Sequence, residues 1–444
     1  MKIVFSAVSS GSGKTTFVLG ILRALCARGW RIRPYKIGPD YIDTEYHRQI
    51  CQCSAINLDG FLLSGDQMQS IFLEYHDQDI SVIEGVMGLH DGLGSTRQFS
   101  TASVAKQIGA PVVLIMDARG MAATAAAIVN GMQDDQSVTI QGVLFNRIRS
   151  SSHYQILKEA VERDAGIPCL GYLPEDAELT IPSRHLGITP HQEMAGIEYT
   201  LNRLQHYSEK YIELDRLVEI AKCGLSYPAS PLTIPYTIPV TIAVAYDPAF
   251  SFYYADNLRL MEKFGANLVF FSPLGDAALP KCDGIYIGGG FPELFAKPLE
   301  ENRTMRNQIY AFAQSGKPIF AECGGYMYLM DKMVTHNQAE YAMCGVFRGK
   351  ACMQNKLNAQ FGYVETELLH DTSIGKKGKK FRSHEFHHSA MISNELPQYE
   401  STKISTGRQW QGGHLVKNCF GTYSHIYFRS DLSLLYQFLS SCMS

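Results

Sequence analysis

Residues 9–16 read SSGSGKTT, and this stretch decides the fold of the first half of the chain. The preceding residues 1–8 are mostly apolar, which predicts a short strand buried on both faces. After the stretch, apolar residues recur at helical spacing: Phe17, Val18, Ile21, Leu22 and Leu25. A strand, a glycine-rich turn and a helix gather backbone N–H groups and the positive end of a helix around one point. Such an arrangement favours the binding of an anionic phosphate.

The stretch follows the phosphate-loop pattern G-x-x-x-x-G-K-[ST], except that Val8 occupies the position of the first glycine. We expect Gly11 to supply the tight turn instead. Lys14 would reach the terminal phosphates, and the Thr15 hydroxyl would hold Mg²⁺. The alternative, a glycine-rich turn with an incidental lysine, is disfavoured because the motif lies between a strand and a helix. The predicted ATP-binding residues of the loop are Ser10, Gly11, Ser12, Gly13, Lys14, Thr15 and Thr16.

The composition narrows the class of protein. A length of 444 residues predicts two or three domains, each able to bury its own core. A formal net charge of −3 and a charged fraction of 19% give no indication of nucleic-acid binding. Neither a long apolar run nor a signal-peptide pattern is present, so we expect no membrane partner and a cytoplasmic location. The 11 scattered cysteines fit a reducing compartment better than a disulfide framework.

Strands alternate with helices through the first half, which predicts an α/β domain with a doubly wound, mostly parallel sheet. Ligands bind at the carboxyl ends of such strands, where this chain carries several carboxylates. Asp40 and Asp43 lie in the loop after the second strand, where turn formation and helix capping are the alternative roles. Glu84 and Asp91 belong to the glycine-rich stretch EGVMGLHDG. Carboxylates that face phosphates need Mg²⁺ between them, so metal binding or work at the reaction centre is the predicted role.

Two further features of the first half are candidate ligand contacts. Asn146 follows a predicted strand, where it would bind adenine or cap the strand end. Residues 181–190, IPSRHLGITP, are too polar for a core and carry Arg184 and His185, which suit an anionic substrate.

A connector divides the chain. Residues 206–222 show the spacing of one amphipathic helix, and residues 227–239 contain four prolines, which predicts an extended, semi-rigid segment. The predicted organisation is therefore a first domain at 1–205, a helix and proline-rich linker at 206–240, and a second domain at 241–444.

The second domain is predicted to be α/β as well, with a nucleophile at its centre. Cys323 follows a short apolar strand and precedes Gly324, where a helix begins. A side chain on so sharp a turn is presented to solvent, and the helix N-terminus favours its thiolate. The alternative is a buried structural cysteine. The run Gly288 to Gly290 is either a tight turn or, through Gly289 and Gly290 together with Gly324, an oxyanion hole.

A cysteine nucleophile needs a base. His425, in the C-terminal run NCFGTYSHIYF, lies on a segment that can return beside Cys323. The run RSHEFHHS offers His384, His387 and His388 as competitors, and the residues alone leave this choice open.

The motifs SGSGKTT, KIGPDYID, NLD, EGVMGLHDG, LGYLPED, IPSRHLG, GGGFPE, AECGGYMYL and SHEFHHS occur in this order. The chain thereby resembles the cobyrinic acid a,c-diamide synthase family over nearly its whole length. That family joins a P-loop synthetase domain, similar to dethiobiotin synthetase, to a class I glutamine amidotransferase domain. Usual class I amidotransferases have a glutamate two residues after the catalytic histidine, whereas Tyr427 stands at that position here, which implies a Cys–His dyad. Gly60 and Phe61 also replace an expected Pro and Trp.

The resemblance implies a ligase that uses ATP, Mg²⁺ and L-glutamine to amidate the a and c acetates of cobyrinic acid in cobalamin biosynthesis. Cys323 would be the glutaminase nucleophile and His425 its base. On the synthetase side it implies roles for Asp40, Glu84 and Asp91 as site carboxylates, with Thr15, Asp40 and Glu84 as metal ligands. Tyr41 and Ile42 would contact the substrate in the same loop as Asp40.

Alternatives remain open at this stage. Hydrogenobyrinic acid or a nickel sirohydrochlorin would present similar acetates to the same residues. A different class of protein is a P-loop ATPase switch whose C-terminal half is a non-catalytic module. A homodimer is compatible with all of these functions.

Overall fold

The computed structural model describes the whole chain except residues 76, 134–137, 180–182, 185–186, 189–195, 226, 356–359 and 444. The chain forms two compact units, residues 1–232 and residues 233–444. The division between them lies inside the proline-rich stretch 227–239, and the described residues from 224 to 240 adopt neither helix nor strand. Within the described residues, no helix combines the length and the apolar character needed to cross a membrane.

The first unit is built on a parallel sheet of seven strands in the order β3-β2-β4-β1-β5-β6-β7, with a separate small hairpin, β8-β9. Its strands are β1 (Lys2–Ala7), β2 (Ile32–Ile37), β3 (Ile56–Leu58), β4 (Ile80–Glu84), β5 (Val112–Asp117), β6 (Ile140–Ile148), β7 (Cys169–Pro174), β8 (Ser183–Arg184) and β9 (Gly187–Ile188). Its helices are α1 (Lys14–Ala27), α2 (Ile42–Cys51), α3 (Gly65–Glu74), α4 (Thr101–Ile108), α5 (Thr124–Gln133), α6 (Ser151–Asp164), α7 (Ile197–Tyr211) and α8 (Leu214–Lys222). The predicted doubly wound parallel sheet is confirmed.

The prediction of one helix over residues 206–222 is wrong, because α7 and α8 are separate helices. Ile212 between them is extended, with φ −113° and ψ 135°, and forms an antiparallel bridge to Gly171. A Cβ at Gly171 would lie 2.1 Å from the carbonyl oxygen of Tyr211, so glycine permits this close approach. The helical pattern is therefore interrupted where the chain pairs with the end of the sheet.

The second unit is built on a six-stranded sheet in the order β11-β10-β12-β13-β23-β22, parallel except for β22. Two four-stranded sheets, β15-β14-β16-β19 and β18-β17-β20-β21, accompany it. The strands are β10 (Thr241–Ala245), β11 (Asn267–Phe271), β12 (Gly284–Ile287), β13 (Ile319–Glu322), β14 (Met330–Val334), β15 (Glu340–Ala342), β16 (Phe347–Met353), β17 (Gly362–Leu368), β18 (Lys380–Glu385), β19 (Ser389–Ile392), β20 (Tyr399–Lys403), β21 (Gln409–Gly412), β22 (His414–Val416) and β23 (Cys419–Thr422). The helices are α9 (Ala255–Lys263), α10 (Ala296–Glu301), α11 (Arg303–Gln314), α12 (Gly324–Leu329) and α13 (Leu432–Ser441).

A buried ion pair ties α9 to the segment after β23. Arg429 donates from Nε to Asp256 Oδ2 at 2.5 Å and from its Nη2 to Oδ1 at 2.6 Å, and each side chain is only 1% exposed. Removal of one partner would leave the other charge buried without this ion pair.

We therefore expect Asp256→Ala to lower the free energy of unfolding of the second unit by about 3–5 kcal/mol, because the Arg429 charge stays behind. The matched control is Glu301→Ala in the same unit, which removes an exposed pair with Lys297 at 3.9 Å and should cost less than about 1 kcal/mol. The measurement is urea unfolding followed by the fluorescence of Trp410 in a Trp30→Phe background. Equal losses in the two variants would contradict the assigned role of the buried pair.

Candidate active sites

The phosphate-loop candidate lies between β1 and α1 and depends on two glycines in left-handed conformations. Gly11 has φ 79° and Gly13 has φ 93°, which favours glycine at both positions. Gly13 also abuts Asn146, since a Cβ there would lie 2.0 Å from Asn146 Nδ2. That amide donates to the carbonyl oxygen of Ser12 at 2.9 Å. Asn146 therefore holds the loop in place, and its predicted contact with adenine stays a prediction.

Lys14 begins α1, and its amino group reaches across to the loop after β4. Its Nζ donates to the carbonyl oxygen of Met87 at 2.7 Å. Burial, with a smaller contribution from Lys36, lowers the pKa of Lys14 to about 8, although Glu84, Asp43 and Asp40 oppose this shift.

Glu84 ends β4 and is the centre of a buried charge network. Thr15 donates its hydroxyl to Glu84 Oε1 at 2.7 Å, and Lys36 Nζ lies 3.0 Å from the same oxygen. His47 Nε2 lies 2.8 Å from Oε2. Burial alone would raise the pKa of Glu84, but Lys36 and His47 outweigh it and hold that pKa well below its usual value. The carboxylate is therefore ionised although it is completely buried.

Sequence reasoning missed Lys36 and His47. Lys36 Nζ also contacts Asp43 Oδ2 at 2.5 Å, so one ammonium group lies between two carboxylates. Burial lowers the pKa of Lys36, but Asp43 and Glu84 raise it well above its ordinary value. The available signal was a lysine inside the otherwise largely apolar strand β2, where a charge needs a partner.

Helix capping was the alternative role considered for Asp43, but the residue that caps α2 is Asp40. Asp40 Oδ1 accepts from the N–H groups of Ile42 and Asp43 at 2.8 and 2.9 Å, so Asp40 provides the cap. The Ile42 side chain is 7% exposed, and Tyr41 is half-buried. The predicted substrate contacts of Tyr41 and Ile42 stay predictions.

Three further predicted residues of the first unit are Asp91, Arg184 and His185. Asp91 is exposed, and its Oδ2 accepts from the N–H of Gly88 at 3.0 Å. Arg184 belongs to strand β8, and the course of its main chain is all that is described. His185 lies outside the described residues.

In the second unit, Cys323 occupies a strained turn between β13 and α12. Its backbone has φ 48° and ψ −104°, which is an uncommon conformation for a residue with a side chain. Its N–H donates to the carbonyl oxygen of Thr422 at 2.8 Å, which anchors the turn to the neighbouring strand β23. The predicted sharp strand-to-helix turn is present.

The predicted exposure of Cys323 and the predicted preference for its thiolate are wrong. The residue is 6% exposed. Burial raises the pKa of the Cys323 thiol far above its ordinary value, the charge of Glu293 adds to this, and the N–H of Gly324 only partly opposes it. Desolvation therefore outweighs the helix N-terminus, and the resting group is a thiol.

His425 lies at the same edge of the sheet as Cys323. Strands β13 and β23 pair in parallel with Glu322 opposite Thr422, so Cys323 and His425 leave the sheet in the same direction. The imidazole lies over the glycine run, because a Cβ at Gly289 would be 2.6 Å from His425 Cε1. Burial, followed by the charges of His384 and His387, lowers the pKa of His425 to about 3, so the ring is neutral.

The competing histidines have other contacts. His384 pairs with His425 through the main chain, with N···O distances of 2.9 and 3.3 Å. His387 stacks on Tyr423 with ring centroids 3.6 Å apart, and its Nδ1 lies 2.8 Å from the carbonyl oxygen of Ser389.

Two of the predicted oxyanion glycines remain suitable. The N–H of Gly289 donates to the carbonyl oxygen of Phe252 at 3.3 Å, and the N–H of Gly288 donates to Tyr253 Oη at 2.8 Å. Gly290 has φ 156°, and its nitrogen is 3.0 Å from the Cβ position of Gly324. Gly290 and Gly324 therefore place their main chains side by side, and Gly324 directly follows Cys323.

Comparison with known proteins relates both units to the same family of enzymes. The CobQ/CobB/MinD/ParA nucleotide binding domain matches residues 3–188, and the CobB/CobQ-like glutamine amidotransferase domain matches residues 241–432. The cobyrinate a,c-diamide synthase of Listeria monocytogenes is 45% identical over 443 residues, which cover 98% of each chain. Enzymes of the same name from Listeria innocua and Streptococcus sanguinis are 44% and 42% identical, over 98% and 99% of this chain and 98% of each relative.

The chain belongs to the cobyrinate a,c-diamide synthase family. The family predicted from the ordered motifs is thereby confirmed, as is the succession of a nucleotide-binding and a glutamine amidotransferase domain. The two matches contain the Lys14 loop and the Cys323 turn respectively.

In this family member the residues around Thr15 fit a magnesium ion bound with a nucleotide. The Thr15 hydroxyl and the ionised Glu84 carboxylate are adjacent oxygen donors, which is the chemistry that Mg²⁺ prefers. Among the described residues, no group of three His, Cys, Asp or Glu side chains is arranged to hold a metal ion without help. Phosphate oxygens and water would therefore complete the coordination, as is usual for Mg²⁺.

The neutral state of Cys323 predicts its reactivity. We expect alkylation of Cys323 by iodoacetamide to be slow at pH 7 and to rise about tenfold per pH unit up to pH 9 without a plateau, because only the thiolate reacts. The measurement is mass spectrometry of the peptide that contains Cys323, with the exposed Cys223 in the same digest as the reference for reagent activity. A plateau of the Cys323 rate near pH 7 would contradict the raised pKa.

Proposed function

We propose that the protein amidates the a and c acetate carboxylates of cobyrinic acid, using ATP and ammonia released from L-glutamine, in cobalamin biosynthesis. The observation that carries this proposal is the presence on one chain of a strained Cys323 at the same sheet edge as His425 and a phosphate loop beside a buried, ionised Glu84. Identity of 45% over 98% of the chain to a cobyrinate a,c-diamide synthase supports it. One site would release nitrogen, and the other would activate the acid.

In the glutaminase half, the Cys323 thiol transfers its proton to the neutral His425 imidazole as the sulfur attacks the glutamine amide carbon. The N–H groups of Gly290 and Gly324 stabilise the resulting oxyanion. The C–N bond then breaks, the imidazolium returns its proton to the leaving nitrogen, and ammonia departs. Water hydrolyses the remaining thioester to glutamate and regenerates the thiol.

In the synthetase half, the acetate carboxylate must be activated, because a carboxylate has no leaving group that ammonia can displace. An acetate oxygen takes the γ-phosphoryl group of ATP and ADP departs, which gives an acyl phosphate. Ammonia then attacks the carbonyl carbon and inorganic phosphate leaves. Lys14 and the loop N–H groups stabilise the charge on the phosphoryl oxygens during transfer.

The remaining predicted residues have roles that follow from their chemistry. Mg²⁺, held by Thr15 and Glu84 with Asp40 nearby, would neutralise phosphate charge and align the leaving group. Asp91 would orient the substrate or accept a proton from ammonia. Tyr41, Ile42, Arg184 and His185 would bind the tetrapyrrole acid.

Separation of the two reactions tests this function. We expect Cys323→Ala to reduce glutamine-dependent amidation at least about 10³-fold, because the nucleophile is lost. Amidation with free ammonia should remain within about threefold of the wild type, since the acid is activated elsewhere. The measurement is the mass of the ring product, with cobyrinic acid, hydrogenobyrinic acid and nickel sirohydrochlorin offered in turn.

Cys344→Ala provides the matched control, because Cys344 is buried in the same unit to 6% exposure and its loss should leave both activities unchanged. No amidation of any ring by the wild type, with glutamine or with ammonia, would refute the proposed function.

The lowered pKa of Lys14 predicts a pH effect on ATP binding. The ammonium group attracts the phosphates only while it is protonated, so ATP affinity should fall as the pH rises above the pKa of about 8. In Lys14→Arg this fall should disappear, since a guanidinium stays protonated. Lys14→Ala should abolish synthesis and leave glutamine hydrolysis measurable. Calorimetric titration with ATP between pH 7 and pH 9.5 checks the slope, and an equal slope in wild type and Lys14→Arg would contradict the assignment.

A further inference from the structure

Glu322 is a buried carboxyl group directly before the nucleophile, and sequence reasoning did not identify it. It ends β13 and is 2% exposed. Its Oε1 accepts from the N–H of Ile426 at 2.8 Å, and its Oε2 accepts from the hydroxyl of Tyr286 at 2.7 Å. Both oxygens are thus bound by neutral donors.

This carboxyl group is costly to bury. In the part of the chain that the structure describes, no Lys or Arg side chain pairs with it, and burial raises the pKa of Glu322 to about 8 although its two hydrogen bonds oppose the shift. An apolar side chain at this position would avoid the desolvation penalty. What the carboxyl group provides, and an apolar side chain could not, is a hydrogen-bond acceptor for the Ile426 N–H.

The Ile426 N–H belongs to the peptide group that joins His425 to Ile426. Its position sets the main chain from which the imidazole projects. Asn257 Nδ2 donates to the Ile426 carbonyl oxygen at 2.6 Å, and Phe428 N–H donates to Asn257 Oδ1 at 2.8 Å. Glu322 holds this segment from the side of the nucleophile strand, and Asn257 holds it from the side of α9.

Two consecutive residues at the end of β13 therefore have related roles. Cys323 is the nucleophile, and Glu322 holds the main chain that carries its base, His425. Tyr427, two residues after His425, is completely buried, and its ring stacks on Tyr254 with centroids 4.5 Å apart. Tyr427 therefore belongs to the core. Usual class I enzymes have a glutamate at this position, and here a tyrosine that packs in the core replaces it.

We propose that Glu322 is the positioning residue of the glutaminase site, which aligns His425 with Cys323 by accepting the Ile426 main-chain N–H. This inference rests on the proposed glutaminase function. Glu322 acts on the main chain that carries the imidazole. Its role requires only an acceptor oxygen placed within hydrogen-bond distance of the Ile426 N–H.

The test uses the full-length chain and four substitutions, three at Glu322 and one control at Tyr286, with glutamine hydrolysis and ammonia-dependent amidation both measured. Glu322→Ala removes the acceptor and should lower kcat for glutamine hydrolysis about 10–100-fold with KM changed less than about threefold, because the base is misplaced while the glutamine pocket remains. Glu322→Gln retains an amide oxygen that can accept from Ile426 and should stay within about threefold of the wild type. Ammonia-dependent amidation should be the same in all of them.

The matched control is Tyr286→Phe, which removes the other hydrogen bond of Glu322 and leaves the contact to Ile426. It should retain glutaminase activity within about threefold. An equal loss in Tyr286→Phe and Glu322→Ala would overturn the proposal, because it would show that satisfaction of the buried carboxyl group matters rather than its hold on Ile426. A rise of KM at constant kcat in Glu322→Ala would also overturn it.

Glu322→Asp keeps the test decisive if Glu322→Ala does not fold. The shorter side chain withdraws the acceptor but keeps the acid, so Glu322→Asp should be less active than Glu322→Gln. The reverse order would overturn the proposal, because charge rather than acceptor position would then be essential. A wild type without glutaminase activity refutes the proposed function and this inference with it, whereas an active wild type and an equally active Glu322→Ala refute the inference alone.

Discussion

Parallel pairing of central strands brings the chemical groups of each unit to one edge of its sheet. In the first unit β1 pairs with β4 in a register that sets Phe5 opposite Glu84, so the carboxylate emerges beside the phosphate loop. In the second unit β13 pairs with β23 in a register that sets Glu322 opposite Thr422. A shift of one residue in either pairing would turn the side chains at the strand ends to the other face. The geometry of both candidate sites depends on these two registers.

The two candidate sites differ in the ionisation of their buried groups: the group in the first is charged, and those in the second are neutral. Glu84 is kept ionised although it is buried, because the Lys36 ammonium group and a hydrogen bond with His47 stabilise its charge. Cys323 and His425 are both kept neutral, because burial raises the pKa of the thiol and lowers that of the imidazole. A site that must accept a polyanion gains from prearranged charge, since charges already in place need no reorganisation. A thiol–imidazole pair can instead create charge only when the substrate amide is there to receive it.

The sequence was informative where a signal is local. The pattern of residues 1–25 predicted β1, the loop and α1, and the strand–Cys–Gly-Gly pattern predicted the turn at Cys323. Long-range contacts explain the failures. Lys36 and Glu84 are 48 positions apart, and Glu322 and Ile426 are 104 apart, so no window of sequence contains either pair. Cys323 is buried in a core cluster that contains residues of several strands distant in sequence, and the break in the helix at Ile212 depends on Gly171.

The neutral state of His425 explains why Glu322 acts on the main chain beside the imidazole and not on the imidazole itself. A carboxylate that accepted a hydrogen bond directly from an imidazole would stabilise the imidazolium and raise its pKa. A stronger base of that kind would favour a resting thiolate–imidazolium pair. Glu322 instead binds the N–H of Ile426, which orients the ring without placing a negative charge on it. Burial can then keep the pKa of His425 at about 3, and the proton leaves Cys323 only as the sulfur attacks the amide.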